Sequence, residues 1–166
     1  MKEIVQIGIV VKDLWKAMKL YWEVFEIGPW NIYTFSPPKL EKTPFTKPPV
    51  YSFNVALAKT RNIQIELIQP LEGPSIYQDY IRRRGEGIHH IKEKLATEDI
   101  PNAIKKFREK GITVIGGGKY GSDEHYYLNT EDMLGFIYEL GNDADVGPPE
   151  KTYPSKISKH QESEGK

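Results

Sequence analysis

The sequence predicts an α+β fold of two paired βαβββ modules. Three observations predict it. The apolar pattern runs strand, helix and three strands, and then runs the same way again. Short stretches match in order between the two runs: Val11-Lys12-Asp13-Leu14 with Thr97-Glu98-Asp99-Ile100, and Ile63-Gln64-Ile65-Glu66-Leu67 with Phe136-Ile137-Tyr138-Glu139-Leu140. Each run is too small to bury its helix and sheet alone, so the two must share one core.

In the first run, Ile4 to Val11 is apolar with Gln6 and Gly8 interleaved, and reads as a buried strand. Asp13 caps a helix whose apolar face is Leu14, Ala17, Met18, Tyr21, Val24 and Phe25. Gly28-Pro29 ends it, and Trp30 to Phe35 is the next strand. Ser36 to Pro49 holds five prolines and reads as a loop, a lid or a dimer contact. Tyr51 to Ala58 and Ile63 to Ile68 are strands, and Ser75 caps a short helix from Ile76 to Arg84.

The second run opens on Gly85-Glu86-Gly87-Ile88-His89-His90-Ile91, two glycines leading into a strand from Ile88 to Leu95. Strand alternation sends His89 and His90 to opposite faces. Asp99 caps the next helix, with Pro101 in its first turn and Ile100, Ala103, Ile104 and Phe107 on its apolar face. Ile112 to Ile115 is a strand, Gly116-Gly117-Gly118 a flexible turn, and His125 to Leu128 and Phe136 to Leu140 the last strands. The expected organisation is one domain over 1–146, with module 1 at 4–70, a linker helix at 74–84 and module 2 at 86–142. Residues 147–166 read as a mobile polar tail.

Of the 166 residues, 23 are Lys or Arg and 23 are Asp or Glu, so the formal net charge is zero. No basic surplus draws in nucleic acid or an anionic membrane. No apolar run approaches the roughly 20 residues that span a bilayer. The chain opens on strand-like residues without a signal-peptide pattern, and a cytoplasmic protein is expected. With no cysteine, a metal site must draw on His, Glu, Asp, Gln or Asn.

The repeat singles out four residues. Gln6 precedes Asp13 by seven residues and His90 precedes Asp99 by nine, so a two-residue difference in the connecting loop makes Gln6 and His90 equivalent. Glu66 and Glu139 are equivalent in the last strands. An approximate twofold brings the four together on the concave side. Ile65, Leu67, Tyr138 and Leu140 then face the helices. Carboxylates inside apolar strands are costly to bury unless paired or metal-bound, and two carboxylates with an imidazole and an amide make a mixed N/O site for a divalent metal.

On these residues the sequence resembles the vicinal oxygen chelate superfamily of glyoxalases, extradiol dioxygenases, bleomycin-resistance proteins and methylmalonyl-CoA epimerases. Ile7-Gly8-Ile9-Val10-Val11-Lys12-Asp13, Ile65-Glu66-Leu67 with Pro70-Leu71, and Gly85 to Ile91 look like the epimerase branch. The resemblance covers roughly Ile4 to Gly141. It implies a glyoxalase-like fold in which the paired modules form one curled mixed sheet around a concave metal site, one divalent ion per chain (Co, Mn, Ni, Zn or Fe) on Gln6, Glu66, His90 and Glu139, and a homodimer. There are departures. Gln6 stands where such epimerases carry His, which also weighs against an extradiol iron site. No Asp or Glu lies on the strand near Tyr51 to Phe53, where epimerases carry a second proton-transfer carboxylate; Glu41 is the nearest upstream.

The expected function is a metal-dependent epimerase or isomerase that abstracts a proton next to a carbonyl, on a methylmalonyl-CoA-like acyl-CoA. Glu139 moves the proton, and Lys92, on the face of His90, binds a substrate carboxylate or acts as a base. The alternatives are a glyoxalase-type lyase and a non-catalytic small-molecule-binding protein of the bleomycin-resistance type. Tyr33, Tyr126, Tyr127 and the three tryptophans are candidates for stacking on a ligand, with the core as the alternative place for most of them.

Overall fold

The computed structural model describes residues 1–155. Module 1 contributes β1 (Ile4–Val10), α1 (Leu14–Phe25), β2 (Trp30–Phe35), β3 (Leu40–Glu41), β4 (Phe53–Lys59) and β5 (Gln64–Pro70). The helix α2 (Ile76–Arg84) leads to module 2, made of β6 (Gly87–Lys94), α3 (Ile100–Arg108), β7 (Val114–Tyr120), β8 (Asp123–Leu128), the short helix α4 (Glu131–Leu134) and β9 (Ile137–Gly141). A last strand, β10 (Lys151–Tyr153), follows. The strands form one sheet in the order β10-β2-β4-β5-β1-β6-β9-β8-β7-β3.

The twofold is written into the backbone register. At the centre β1 and β6 run antiparallel with Ile7 opposite Ile91, Gln6 opposite Lys92 and Gly8 opposite His90. A twofold through the Ile7–Ile91 pair exchanges the other two pairs, carrying Gln6 onto His90 and Gly8 onto Lys92. The outer pairings obey the same operation: Gly8 lies opposite Glu66 in the parallel β1–β5 pair, and Lys92 opposite Glu139 in the parallel β6–β9 pair. Even the irregularities repeat. Register shifts between Ile4 and Gln6 and between Gly8 and Ile9 leave Val5 and His89 as the extra residues of two β-bulges, and these too are mates.

Helices cover the convex side. Leu14 and Met18 of α1 pack with Trp30, Ala56 and Leu67, and Ile100 and Ile104 of α3 with Tyr126, Leu128 and Leu140. Asp13 caps α1 by accepting from the Lys16 amide at 3.0 Å, and Ser75 caps α2 by accepting from the Gln78 amide at 3.1 Å. On the concave side Tyr33, Phe35, Phe53, Tyr77 and Tyr127 share a third cluster. The curl brings distant strands together: Phe35 of β2 stacks on Tyr120 of β7 with ring centroids 4.2 Å apart.

Five sequence expectations change. His89 and His90 share the concave side, because the bulge at His89 interrupts the alternation; His89 packs among Tyr77, Tyr80 and Tyr127. Asp99 is not a side-chain cap, since a 3-10 turn over Thr97–Asp99 has already wound the chain before α3. The Gly116 to Gly118 run is not a turn but the middle of β7, and the reversal falls at Gly121-Ser122 between the paired Tyr120 and Asp123. The Pro-rich segment does not line the cavity: Leu40-Glu41 pairs with β7 at the far edge of the sheet, and Phe45 packs on Tyr126 under α3. Residues 147–155 are not a loose tail either. The edge strand β2 offers free backbone groups, β10 pairs with them, and Tyr153 packs edge-on against Trp15 with centroids 5.9 Å apart. Residues 156–166 of that expectation lie outside the described residues.

The glycine run has a specific use. Gly117 has φ +134°, and a Cβ there would sit 2.1 Å from the His125 carbonyl oxygen. We expect Gly117→Ala to destabilise the fold by about 1–3 kcal/mol, the cost of backbone forced into a conformation that L residues avoid. Urea unfolding of the variant beside the parent measures this directly.

Candidate metal and substrate site

Gln6, Glu66, His90 and Glu139 reach the concave floor from the four central strands, β1, β5, β6 and β9. They meet at one atom. His90 Nε2 lies 3.3 Å from Gln6 Oε1, 3.1 Å from Glu66 Oε2 and 3.0 Å from Glu139 Oε2. The Gln6 amide nitrogen donates to Gln64 Oε1 at 2.7 Å, which turns the Gln6 carbonyl oxygen toward the imidazole. Gly8 makes room for the ring, since a Cβ there would fall 2.0–2.5 Å from three His90 ring atoms.

The electrostatics follow from burial and pairing. Burial alone would lower the His90 pKa, but Glu139 and Glu66 outweigh it and lift the imidazole to about 9. Burial would raise Glu139, but His90 and Lys92 outweigh it and hold the carboxyl at about 2. His89 is pushed well below its ordinary value, by desolvation first and then by the His90 charge. A neutral His89 accepts at Nδ1 from the His90 Nδ1–H, 3.0 Å away, and this leaves His90 Nε2 aimed at the three oxygens.

Above this floor is a cavity of about 530 Å³. Tyr33, Phe35, Phe53, Tyr77 and Tyr127 form its aromatic wall, while Tyr126 points to the convex core. Lys92 enters from β6. Its Nζ lies 3.2 Å from Asp123 Oδ1 and 3.4 Å from Glu139 Oε1. Burial would lower the Lys92 pKa, but Glu139, Asp123 and Glu66 raise it above the ordinary lysine value. Lys92 is therefore an ammonium here, and a general-base role, which needs the neutral amine, is set aside. Lys94 stands apart from the cavity, on Asp143 at 3.4 Å.

Asp123 and His125 also line the cavity, and the sequence reading missed both as site residues. Asp123 Oδ2 lies 3.6 Å from His125 Nδ1. Burial would raise the Asp123 pKa, but Lys92 and His125 bring it below the usual carboxylate range. The sequence does carry a signal for them: the spacing Asp123, His125, Tyr127 puts all three on one strand face. A strand that starts only at His125 hides it. Glu41 is not among the cavity-lining residues. The segment after β9 carries Asp143, Ala144, Asp145 and Val146 along the cavity, and Tyr33 Oη donates to the Gly147 carbonyl at 3.3 Å.

The donor set fits a divalent ion by its chemistry: one imidazole nitrogen, one amide oxygen and two carboxylates. Glu139 Oε2 is buried and makes no hydrogen bond despite its nearness to Nε2, because one N–H cannot serve three oxygens. The oxygens close on the imidazole as spaced here, so no three His, Asp or Glu donors frame an ion among the described residues. The atom that an ion would displace is the shared imidazole proton.

Metal affinity should therefore rise about tenfold per pH unit up to the His90 pKa of about 9 and then level off, as the competing proton is lost. Titration against a competing chelator at several pH values reads this. Gly8→Ala should displace the His90 ring and lower metal retention at least about tenfold, the scale of altered ligand orientation. Metal analysis after gel filtration would detect it.

Residues 5–128 match the profile of the Glyoxalase/Bleomycin resistance protein/Dioxygenase superfamily. Among solved structures, methylmalonyl-CoA epimerase from Mycobacterium tuberculosis is similar at 18% identity and a TM-score of 0.65, over 86% of this chain and 89% of that one. A variant of Streptomyces coelicolor methylmalonyl-CoA epimerase in complex with 2-nitronate-propionyl-CoA is similar at 23% identity and a TM-score of 0.65, over 90% and 99%. A hypothetical protein from Bacillus halodurans gives 21% and 0.63, over 88% and 97%. At these identities the likeness carries the fold. No curated protein sequence matches significantly. No helix among the described residues is long and apolar enough to cross a membrane. With its paired βαβββ modules and its matching profile, the chain belongs to the glyoxalase/bleomycin resistance/dioxygenase superfamily.

Proposed function

We propose that this protein is a metal-dependent epimerase or isomerase that moves a proton next to a carbonyl, with a methylmalonyl-CoA-like acyl-CoA as substrate. The observation that carries the proposal is the convergence of Gln6, Glu66 and Glu139 on His90 Nε2 at the floor of a cavity. These four residues would hold the ion, which supplies Lewis-acid stabilisation to an enolate oxygen when bound.

The chain's own residues do the rest. Glu139 carries the proton, its Oε2 buried at the floor 3.0 Å from His90 Nε2 and its Oε1 3.4 Å from Lys92 Nζ. Glu66, its twofold mate, approaches from the other side of the central β1–β6 pair. The two carboxylates lie 3.1 and 3.0 Å from the same His90 nitrogen, so two proton acceptors stand together at the floor. Glu66 in this way supplies the second carboxylate that the stretch from Tyr51 to Phe53 lacks. The aromatic wall excludes water from the acyl group. The same pair of carboxylates also suits a glyoxalase-type lyase, in which a proton moves between neighbouring carbons. Two buried carboxylates held on an imidazole weigh against a purely non-catalytic binding protein.

Protein loaded with cobalt, manganese, nickel or zinc should wash deuterium from solvent into the α-carbon of methylmalonyl-CoA. Glu139→Gln should slow this by about 10²–10⁴-fold, the usual contribution of a positioned acid–base group. No exchange above buffer with any of these metals would overturn the epimerase reading. Turnover of the methylglyoxal–glutathione hemithioacetal instead would establish the lyase.

A further inference from the structure

We propose that the Tyr77–Tyr127 hydroxyl pair is an oxyanion-binding element: Tyr77 donates to Tyr127, and Tyr127 donates to the ligand oxygen on which negative charge develops. This rests on the proposed function and deepens it, adding a hydrogen-bond donor from the chain itself beside the metal donors.

The two hydroxyls lie 2.7 Å apart, and neither makes another hydrogen bond among the described residues. Each carries one O–H proton. One proton closes the bond between them, so the other has no protein acceptor. Tyr33 and Tyr80, by contrast, each donate to a backbone carbonyl, at 3.3 and 2.7 Å. Tyr77 and Tyr127 are only 2% and 3% exposed, and both line the cavity. A buried O–H without an acceptor is costly, and the cavity is the direction from which an acceptor can come.

Position assigns the two roles. The Tyr127 ring lies 5.2 Å from the His90 ring, centroid to centroid, and Tyr127 pairs with Glu139 across β8 and β9. Tyr77 comes from α2, outside the repeat, and packs on His89 at 5.1 Å. Tyr127 is therefore the one beside the metal donors, and Tyr77 is its positioning residue. Hydrogen bonds in a chain polarise one another, so a hydroxyl that accepts from Tyr77 donates more strongly. Burial first, and then the neighbouring tyrosines and the floor carboxylates, push both hydroxyls well above the ordinary tyrosine value, so both keep their protons. The twofold is broken here as well. The mate of Tyr127 is Leu57, which pairs with Glu66 as Tyr127 pairs with Glu139 and also lines the cavity. The donor thus stands on the Glu139 side alone. A donor fixed by packing stabilises developing charge without having to reorganise.

Calorimetric titration of the manganese-loaded protein tests the pair with two ligands: 2-nitronate-propionyl-CoA, whose nitronate oxygens carry charge, and propionyl-CoA, whose acyl oxygen is neutral. Tyr127→Phe should weaken nitronate binding at least about tenfold, the worth of a hydrogen bond to a charged oxygen, while propionyl-CoA binding changes by no more than about threefold. Manganese retention should stay as in the parent. Tyr77→Phe leaves the Tyr127 O–H in place but unpolarised, so its loss should be smaller and equally confined to the nitronate; this variant serves if Tyr127→Phe fails to fold. Unchanged nitronate binding in Tyr127→Phe, or an equal loss for both ligands such as damaged packing would give, overturns the pair. If the parent takes up no manganese or binds neither CoA ligand, the proposed function fails, and ethyl nitronate against neutral nitroethane on the same proteins still decides the pair. A loss in Tyr127→Phe confined to ethyl nitronate supports it there, and no binding or no such loss overturns it.

Discussion

Two buried carboxylates share one imidazole nitrogen, and much of the structure serves that contact. Glu66 and Glu139 sit between apolar neighbours on their strands, Ile65 and Leu67 in β5 and Tyr138 and Leu140 in β9. A buried charge left unpaired costs several kcal/mol, so neither residue is tolerable without a cation on the floor. His90 supplies it in the metal-free protein. The fold brings donors from four strands to that point, and four strands can meet there only because the central pair is antiparallel while each outer pair is parallel.

The twofold has a structural cost that the glycines absorb. A bulge in each central strand rotates the side chains at its end. In module 1 the extra residue is Val5. In module 2 it is His89, which is turned inward among three tyrosines and donates its position, rather than its charge, to hold His90. Gly8 and Gly141 then leave the volume into which the His90 ring and the Lys92 stem extend. The two modules have thus diverged by filling equivalent places differently: an imidazole for an amide at the floor, and an ammonium for nothing beside it.

Two non-repeated segments complete the trough. The Pro-rich chain after β2 crosses to the far edge of the sheet and pins β7 from outside, and the chain after β9 runs past the cavity to pair with β2. Together they tie the two ends of a curled sheet whose edges would otherwise stand open. The second of them carries Asp143 and Asp145 past the cavity, so the trough is walled by residues that belong to neither repeat.

The repeated strand and helix order and the four floor residues are legible without coordinates. Both rest on periodicity and spacing, which are local properties of the chain. Gln6, Glu66 and Glu139 stand out because each interrupts a largely apolar strand, and His90 because the repeat makes it the equivalent of Gln6. The folded chain was needed to learn which side His89 faces, that Gly116 to Gly118 lie in a strand, that Tyr153 anchors β10, and that Asp123 stands beside Lys92 with His125 next to Asp123. Bulges, edge pairing and the neighbours of a buried charge depend on strands far apart in the chain. Alternation along one strand cannot report what the adjacent strand does to its register.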